Sequence, residues 1–146
     1  MNTMPEPNAA LVACHFRFGW WTLALYLTLG LVLESLHGFK VGWFLDADQE
    51  ARRMMLRLAH AHGTLTALVN ICFAATVALG RANASRSVSR ALLSGSILLP
   101  GGFFLGALGT YGSDPGVGVL LVPLGAILLI GAVVGIACRM DLRVRP

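Results

Sequence analysis

Four long apolar runs constrain this chain more than any other feature of its sequence. They cover about residues 18–38, 58–80, 90–111 and 117–138. Each run has the length of about 20 residues that an α-helix needs to cross a hydrocarbon core of about 30 Å. Backbone groups in lipid must be hydrogen-bonded within their own segment, so the runs are predicted to be membrane-spanning helices.

The composition supports a membrane protein. Hydrophobic residues make up 56% of the chain and charged residues 12%, whereas a soluble domain is about one quarter charged. The formal net charge is +4, but the basic residues are scattered between apolar runs. That scatter argues against a nucleic-acid partner and indicates orientation in a lipid bilayer.

The connections between the runs are short, except for the first one. Residues 81–89 and 112–116 form brief polar links, and residues 39–57 form the longer first loop. Short links favour antiparallel neighbours. The sequence therefore predicts an all-α fold, a single transmembrane domain over residues 1–146, built as an up-down-up-down four-helix bundle. The N-terminus lacks the basic region of a signal peptide, so the first run is expected to be retained as a span.

Basic residues are unevenly divided between the two ends of the predicted bundle. The first loop carries four of them: Lys40, Arg52, Arg53 and Arg57. The opposite end carries seven: Arg17, Arg81, Arg86, Arg90, Arg139, Arg143 and Arg145. Because basic residues are retained on the cytoplasmic side, both termini are expected on the cytoplasmic side of a bacterial cell membrane, with the first loop on the outer side.

Glu34 is the only carboxylate within a predicted span. An ionisable group in the membrane is costly, and it usually marks a functional site that faces other helices. Tyr26, Gly30 and Glu34 recur every four residues and therefore share one helix face. His37 follows Glu34 by three residues and joins that face.

The second run carries a matching polar stripe of His62, Thr66 and Asn70, again four residues apart. His60 is two residues from His62, about 200° around a helix, so both rings cannot face the same neighbour. The stripe predicts that His62 faces the first helix and that His60 faces elsewhere. Both stripes begin at the first loop, so they are expected to form one polar seam near the outer face, with Tyr26, Thr66 and Asn70 deeper inside.

A metal ion is one candidate occupant of this seam. Glu-x-x-His places two ligands on one helical face, as in carboxylate-bridged metal bundles. Glu34, His37 and His62, with His60 or Asp114, would supply nitrogen and oxygen ligands suited to zinc, iron, manganese or copper. However, those bundles use a second Glu-x-x-His, and this chain has only one.

Three other interpretations stay open. His37 and His62 lie at similar depths and could ligate haem b. A Glu–His seam could bind a proton-linked small solute, because histidine titrates near neutral pH. The same residues could also simply hydrogen-bond the helices together.

The third and fourth runs are rich in glycine. Gly102-x-x-x-Gly106 and Gly131-x-x-x-Gly135 are spaced for close helix packing, either within the bundle or in a homo- or hetero-oligomer. An accessory or assembly subunit of a larger membrane complex is therefore the alternative to a binding protein. No nucleotide loop, nucleophile elbow or zinc-protease signature appears, so an enzyme is the least supported class.

One short motif and the general layout of the chain resemble known proteins. The motif "AHAHGTL" at 59–65 resembles the His-x-His-x-x-Gly helix starts of haem-copper oxidase core subunits. That resemblance covers only these residues and transfers no function. The whole chain looks like small four-helix bacterial membrane proteins of unassigned function, which implies the fold and no site.

Overall fold

The computed structural model describes residues 6–83, 85–110 and 114–140. The fold is all-α, as the sequence predicts. Five α-helices are present in this part of the chain: α1 (Glu6–Gly38), α2 (Gly42–Leu45), α3 (Glu50–Ala78), α4 (Arg86–Leu108) and α5 (Leu121–Ala137). Short 3₁₀ turns at Ala47–Gln49 and Val117–Leu120 precede α3 and α5.

Four stretches of the described residues are long and apolar enough to cross a membrane: Asn8–Gly38, Ala47–Ala78, Arg86–Leu108 and Val117–Ala137. This confirms the four predicted spans, although the first two begin much earlier than predicted. α1 begins at Glu6 rather than near residue 18, and α3 begins at Glu50 rather than near residue 58. The added turns at the start of α1 and α3 begin with polar residues but are rich in residues that favour helix. Each helix therefore begins before its apolar run.

The ends of α1 and α3 share one hydrogen-bonding motif. At the end of α3, Gly80 adopts a left-handed conformation (φ 66°), and the Arg81 N–H donates to the Thr76 carbonyl over 3.0 Å. At the end of α1, Lys40 has φ 52°, and the Val41 N–H donates to the Leu36 carbonyl over 3.1 Å. Both are Schellman caps, but only the first uses the glycine that this conformation favours.

The long helices pack on one another in chain order: α1 on α3, α3 on α4, and α4 on α5. Glycine brings α4 and α5 very close. A Cβ atom on Gly125 would lie 2.5 Å from the Leu99 backbone nitrogen, and one on Gly102 would lie 2.9 Å from the Val122 side chain. Gly102 thus serves close packing within the chain. A Cβ on Gly106 would make an ordinary contact, 3.5 Å from the Val119 nitrogen, and one on Gly131 would meet open space.

The two ends of the molecule differ in how tightly the helices are joined. At the end that holds the start of α1 and the α3–α4 link, Val12, Phe73, Val88 and Ala132 bring all four long helices into one buried cluster. We call this the basic end. At the other end the α1–α3 loop is tied down by Arg53, which donates to the Phe44 and Asp46 carbonyls.

The outer faces of α1 and α5 carry exposed apolar side chains, such as Leu25, Leu31, Ile127 and Ile130. Apolar faces on spanning helices are covered by lipid. The structure therefore supports contact with a lipid bilayer, while the predicted oligomer remains a prediction.

Candidate functional site

A groove between α1 and α3 brings together three of the predicted site residues, Glu34, His37 and His60. It lies at the loop end of both helices and has a volume of about 560 Å³. Its polar lining consists of Glu34 and His37 from α1 and Arg57 and His60 from α3. Glu34 and His37 are exposed, and His60 is half-buried. The groove thus combines one carboxylate, one guanidinium and two imidazoles.

The apolar lining of the groove comes mostly from α1. Leu27, Leu31 and Leu33 contribute side chains, and Gly30 leaves the space in which the His60 ring packs. A Cβ atom on Gly30 would overlap that ring. Glu34, His37 and Arg57 therefore sit toward the loop, while His60 packs at the depth of Gly30. Leu27 and Leu31 extend the groove along α1 toward the middle of the span.

A reciprocal contact lies next to the groove on the same interface. The Tyr26 ring of α1 packs on Gly63 of α3, where a Cβ atom would overlap the ring. The His60 Nδ1 atom lies 2.7 Å from the Tyr26 backbone carbonyl, to which it donates a hydrogen bond. Each helix thus inserts a ring where the other has glycine. Tyr26 lies on the α1–α3 interface as predicted, but it belongs to this contact and does not line the groove.

The sequence-based choice between the two neighbouring histidines was wrong. His60, not His62, faces α1 and joins Glu34 and His37. The His62 ring lies against Phe103 of α4 at 5.0 Å, and its Nδ1 atom donates to the Leu58 carbonyl one turn earlier. The prediction rested on the helix face that His62 shares with Thr66 and Asn70. That face meets two helices: His62 contacts Phe103 of α4, whereas Asn70 contacts His15 of α1.

The geometry gives the predicted metal and haem sites no support. Within the described residues, no group of three His, Cys, Asp or Glu side chains could hold a metal ion. Nor does the groove bring His37 and His62 together, since His62 is not part of its lining. Asp114 is described and exposed, but it does not line the groove either.

Asn70 and Thr66 lie deeper in the protein, in a second polar cluster. The His15 ring is wholly buried, with its Nδ1 atom 2.7 Å from Asn70 Oδ1 and its Nε2 atom 2.8 Å from Ser89 Oγ. The Asn70 amide nitrogen donates to the Thr66 carbonyl and to Ser96 Oγ, each over 2.8 Å. We call this the buried cluster, and it joins α1, α3 and α4 near the basic end.

The hydrogen bonds fix the proton positions within the buried cluster. The Asn70 nitrogen must face the Thr66 carbonyl, which only accepts, so Oδ1 faces His15. His15 Nδ1 therefore carries a proton, and the neutral ring accepts the Ser89 hydroxyl proton at Nε2. A hydroxyl, imidazole and amide in this order also occur in nucleophilic enzymes. However, His15 is fully buried and Ser89 is 8% exposed, so a substrate could not reach the hydroxyl. We therefore interpret the cluster as a set of hydrogen bonds that joins the helices.

Sequence reasoning missed two participants whose spacing could have revealed them. Arg57 precedes His60 by three residues and therefore shares its helix face. His15 precedes Gly19 by four residues and Tyr26 by eleven, which places it on the α1 face that packs against α3. The sequence carried both signals, but Arg57 was counted only as a topology marker.

Together, the fold and the two polar sites define an all-α multispanning membrane protein with one open polar groove and one closed polar cluster. Comparison with family models, with curated proteins and with solved structures finds no match for this chain.

Proposed function

We propose that this chain is a membrane binding protein whose α1–α3 groove holds a small solute, with binding linked to protonation of the groove. One observation carries the proposal: two helices direct four ionisable side chains, Glu34, His37, Arg57 and His60, at one cavity. Its volume of about 560 Å³ falls within the range of about 300–1,000 Å³ typical of small-molecule sites.

The link to protons rests on the two imidazoles. Histidine is the side chain that changes charge between about pH 5 and 8. A carboxylate and a guanidinium line the same cavity, so the net charge presented to a solute depends on whether His37 and His60 are protonated. A solute that carries an ionisable group would therefore bind with an affinity that changes across this pH range.

The proposed location of the groove is the outer face of the membrane. Support comes from the charge distribution: Arg17, Arg81, Arg86, Arg90 and Arg139 belong to the basic end, and the sequence adds Arg143 and Arg145 after the last span, against four basic residues at the groove end. An excess of basic residues at one end favours the cytoplasm for that end. Arg143 and Arg145 themselves lie outside the described residues.

The test asks whether a bound molecule depends on the groove. Leu31 is 68% exposed and lines the groove, whereas Leu25 is 64% exposed on the same helix and does not. Leu31→Trp should fill the groove, and Leu25→Trp is the matched control. We expect native mass spectrometry of the purified full chain to show a small bound molecule in wild type and control, and to lose it in Leu31→Trp.

The proton link is tested on the same samples at pH 5 and pH 8. Occupancy in wild type should differ between the two, and the double variant His37→Asn, His60→Asn should lose that difference. Two results would contradict the proposal: wild-type protein that carries no small molecule at either pH, or equal occupancy in Leu31→Trp and wild type.

A further inference from the structure

The two opposite charges in the groove are not paired with each other. Glu34 on α1 and Arg57 on α3 line the same cavity, yet no ion pair or hydrogen bond of either side chain occurs within the described part of the chain. Both side chains are exposed, so a molecule that enters the groove can reach both charges. Two unpaired charges on opposite walls of one cavity can be compensated together by a ligand that carries both signs.

The apolar half of the groove indicates an amphiphile. Leu27 is 53% exposed and Leu31 is 68% exposed, so the groove opens sideways along α1, where lipid covers the helix. From Leu27 to His37 the groove extends over ten residues, about 15 Å at 1.5 Å per residue. That is about half of a hydrocarbon core of roughly 30 Å, with the polar groups at the loop end, as in one leaflet of a bilayer.

We infer that the groove holds a phospholipid with a primary-amine head group, such as a phosphatidylethanolamine. The phosphate lies at Arg57, because a guanidinium matches the geometry of phosphate oxygens. The ammonium donates to the Glu34 carboxylate, and one acyl chain follows Leu27 and Leu31. This inference rests on the proposed function, since it names the ligand of the same groove.

The experiment is a lipid titration of the purified full chain, followed by native mass spectrometry. The probes are phosphatidylethanolamine, phosphatidylglycerol (phosphate without an ammonium group) and phosphatidylcholine (a quaternary ammonium without N–H donors). We expect phosphatidylethanolamine to bind about fivefold more tightly than either of the others, the value of one partly exposed charged contact.

Two variants separate the contributions of the head group. Glu34→Gln should remove the preference for phosphatidylethanolamine over phosphatidylglycerol while leaving the latter bound. Arg57→Gln should weaken all three lipids together. Leu25→Trp is again the control and should behave like wild type. Equal binding of the three lipids, or a preference that Glu34→Gln leaves unchanged, would overturn the inference.

A competition experiment tests whether the acyl chain is recognised. Soluble phosphoethanolamine carries the same head group without a tail, and we expect it not to displace the lipid at equal concentration. If it competes as well as the lipid, the ligand is a free zwitterion and the phospholipid assignment fails. If the phospholipid assignment fails but a different small molecule is lost in Leu31→Trp, the proposed function still holds. The test of the lipid is therefore separate from the test of the groove as a binding site.

Discussion

The buried cluster and the groove both contain histidine between helices, but they differ in how fully their polar groups are satisfied. In the buried cluster, both ring nitrogens of His15 have hydrogen-bond partners, and Asn70 contacts three groups. In the groove, Glu34 and Arg57 face one cavity without a partner in the described residues. The first arrangement joins helices, whereas the second leaves charges available for a ligand.

An ionisable side chain in a membrane span can have all of its hydrogen bonds supplied by the protein itself. His15 is as polar as His60 and more deeply buried, yet the protein itself supplies all of its hydrogen bonds. A buried polar group that is fully paired contributes to stability, while an unpaired one in a cavity is free to bind.

The largest effect is expected from removing the ring at the centre of the buried cluster. His15→Phe keeps the approximate shape but leaves Asn70 Oδ1 and the Ser89 hydroxyl without a partner. Each buried unsatisfied group costs about 1–3 kcal/mol, so we expect the free energy of unfolding to fall by about 3 kcal/mol. Unfolding in mixed detergent micelles measures this change.

The matched variant is His60→Phe at the edge of the groove. It removes one hydrogen bond, to the Tyr26 carbonyl, and should cost about 0.6 kcal/mol, the average for a hydrogen bond between membrane helices. Equal losses of unfolding free energy in His15→Phe and His60→Phe would contradict the difference between the buried cluster and the groove.

A smaller effect is expected at the two Schellman caps, one at each end of the molecule. Gly80→Lys places a side chain at φ 66° and should lower the unfolding free energy by about 1 kcal/mol. Lys40→Gly relieves φ 52° but adds flexibility to the unfolded chain, so a gain of about 0.5 kcal/mol is expected. Changes of the same sign in both variants would contradict this account.

The charges of the groove are expected to contribute nothing measurable to stability. Glu34→Gln and Arg57→Gln break no contact within the described residues, so unfolding should match wild type. Arg53→Gln is the control at the same end. It removes the hydrogen bonds to the Phe44 and Asp46 carbonyls and should cost about 1 kcal/mol. A clear loss of stability in Arg57→Gln would mean that this side chain serves the fold.

The last prediction concerns sidedness and should leave stability unchanged. In a background in which Cys14, Cys72 and Cys138 are replaced by alanine, a single cysteine at Lys40 should react with an impermeant thiol reagent added outside intact cells. A single cysteine at Asn83, beside the basic end, should react only after lysis. The reverse pattern would place the groove on the cytoplasmic side and overturn the orientation argued from charge.

Much of the fold could be predicted because spanning helices follow from local composition. The four runs follow from length and hydropathy. Small-residue spacing predicts close packing at Gly102, but only the structure decides that its neighbour is α5 of the same chain. The candidate site was predicted only in part: Glu34, His37 and His60 share a groove, but His62 does not. Spacing tells which residues share a helix face, yet it does not tell which neighbouring helix that face meets.

The sequence by itself determined the number of spans, their helical state and the charge difference between the two ends. These features follow from the cost of exposing backbone and charge to lipid, and that cost depends on each segment separately. Only the tertiary structure decided that His60 packs on Gly30 and that His15 meets Asn70 and Ser89. Those contacts depend on helix rotation and offset, which close packing between helices sets and no single segment encodes.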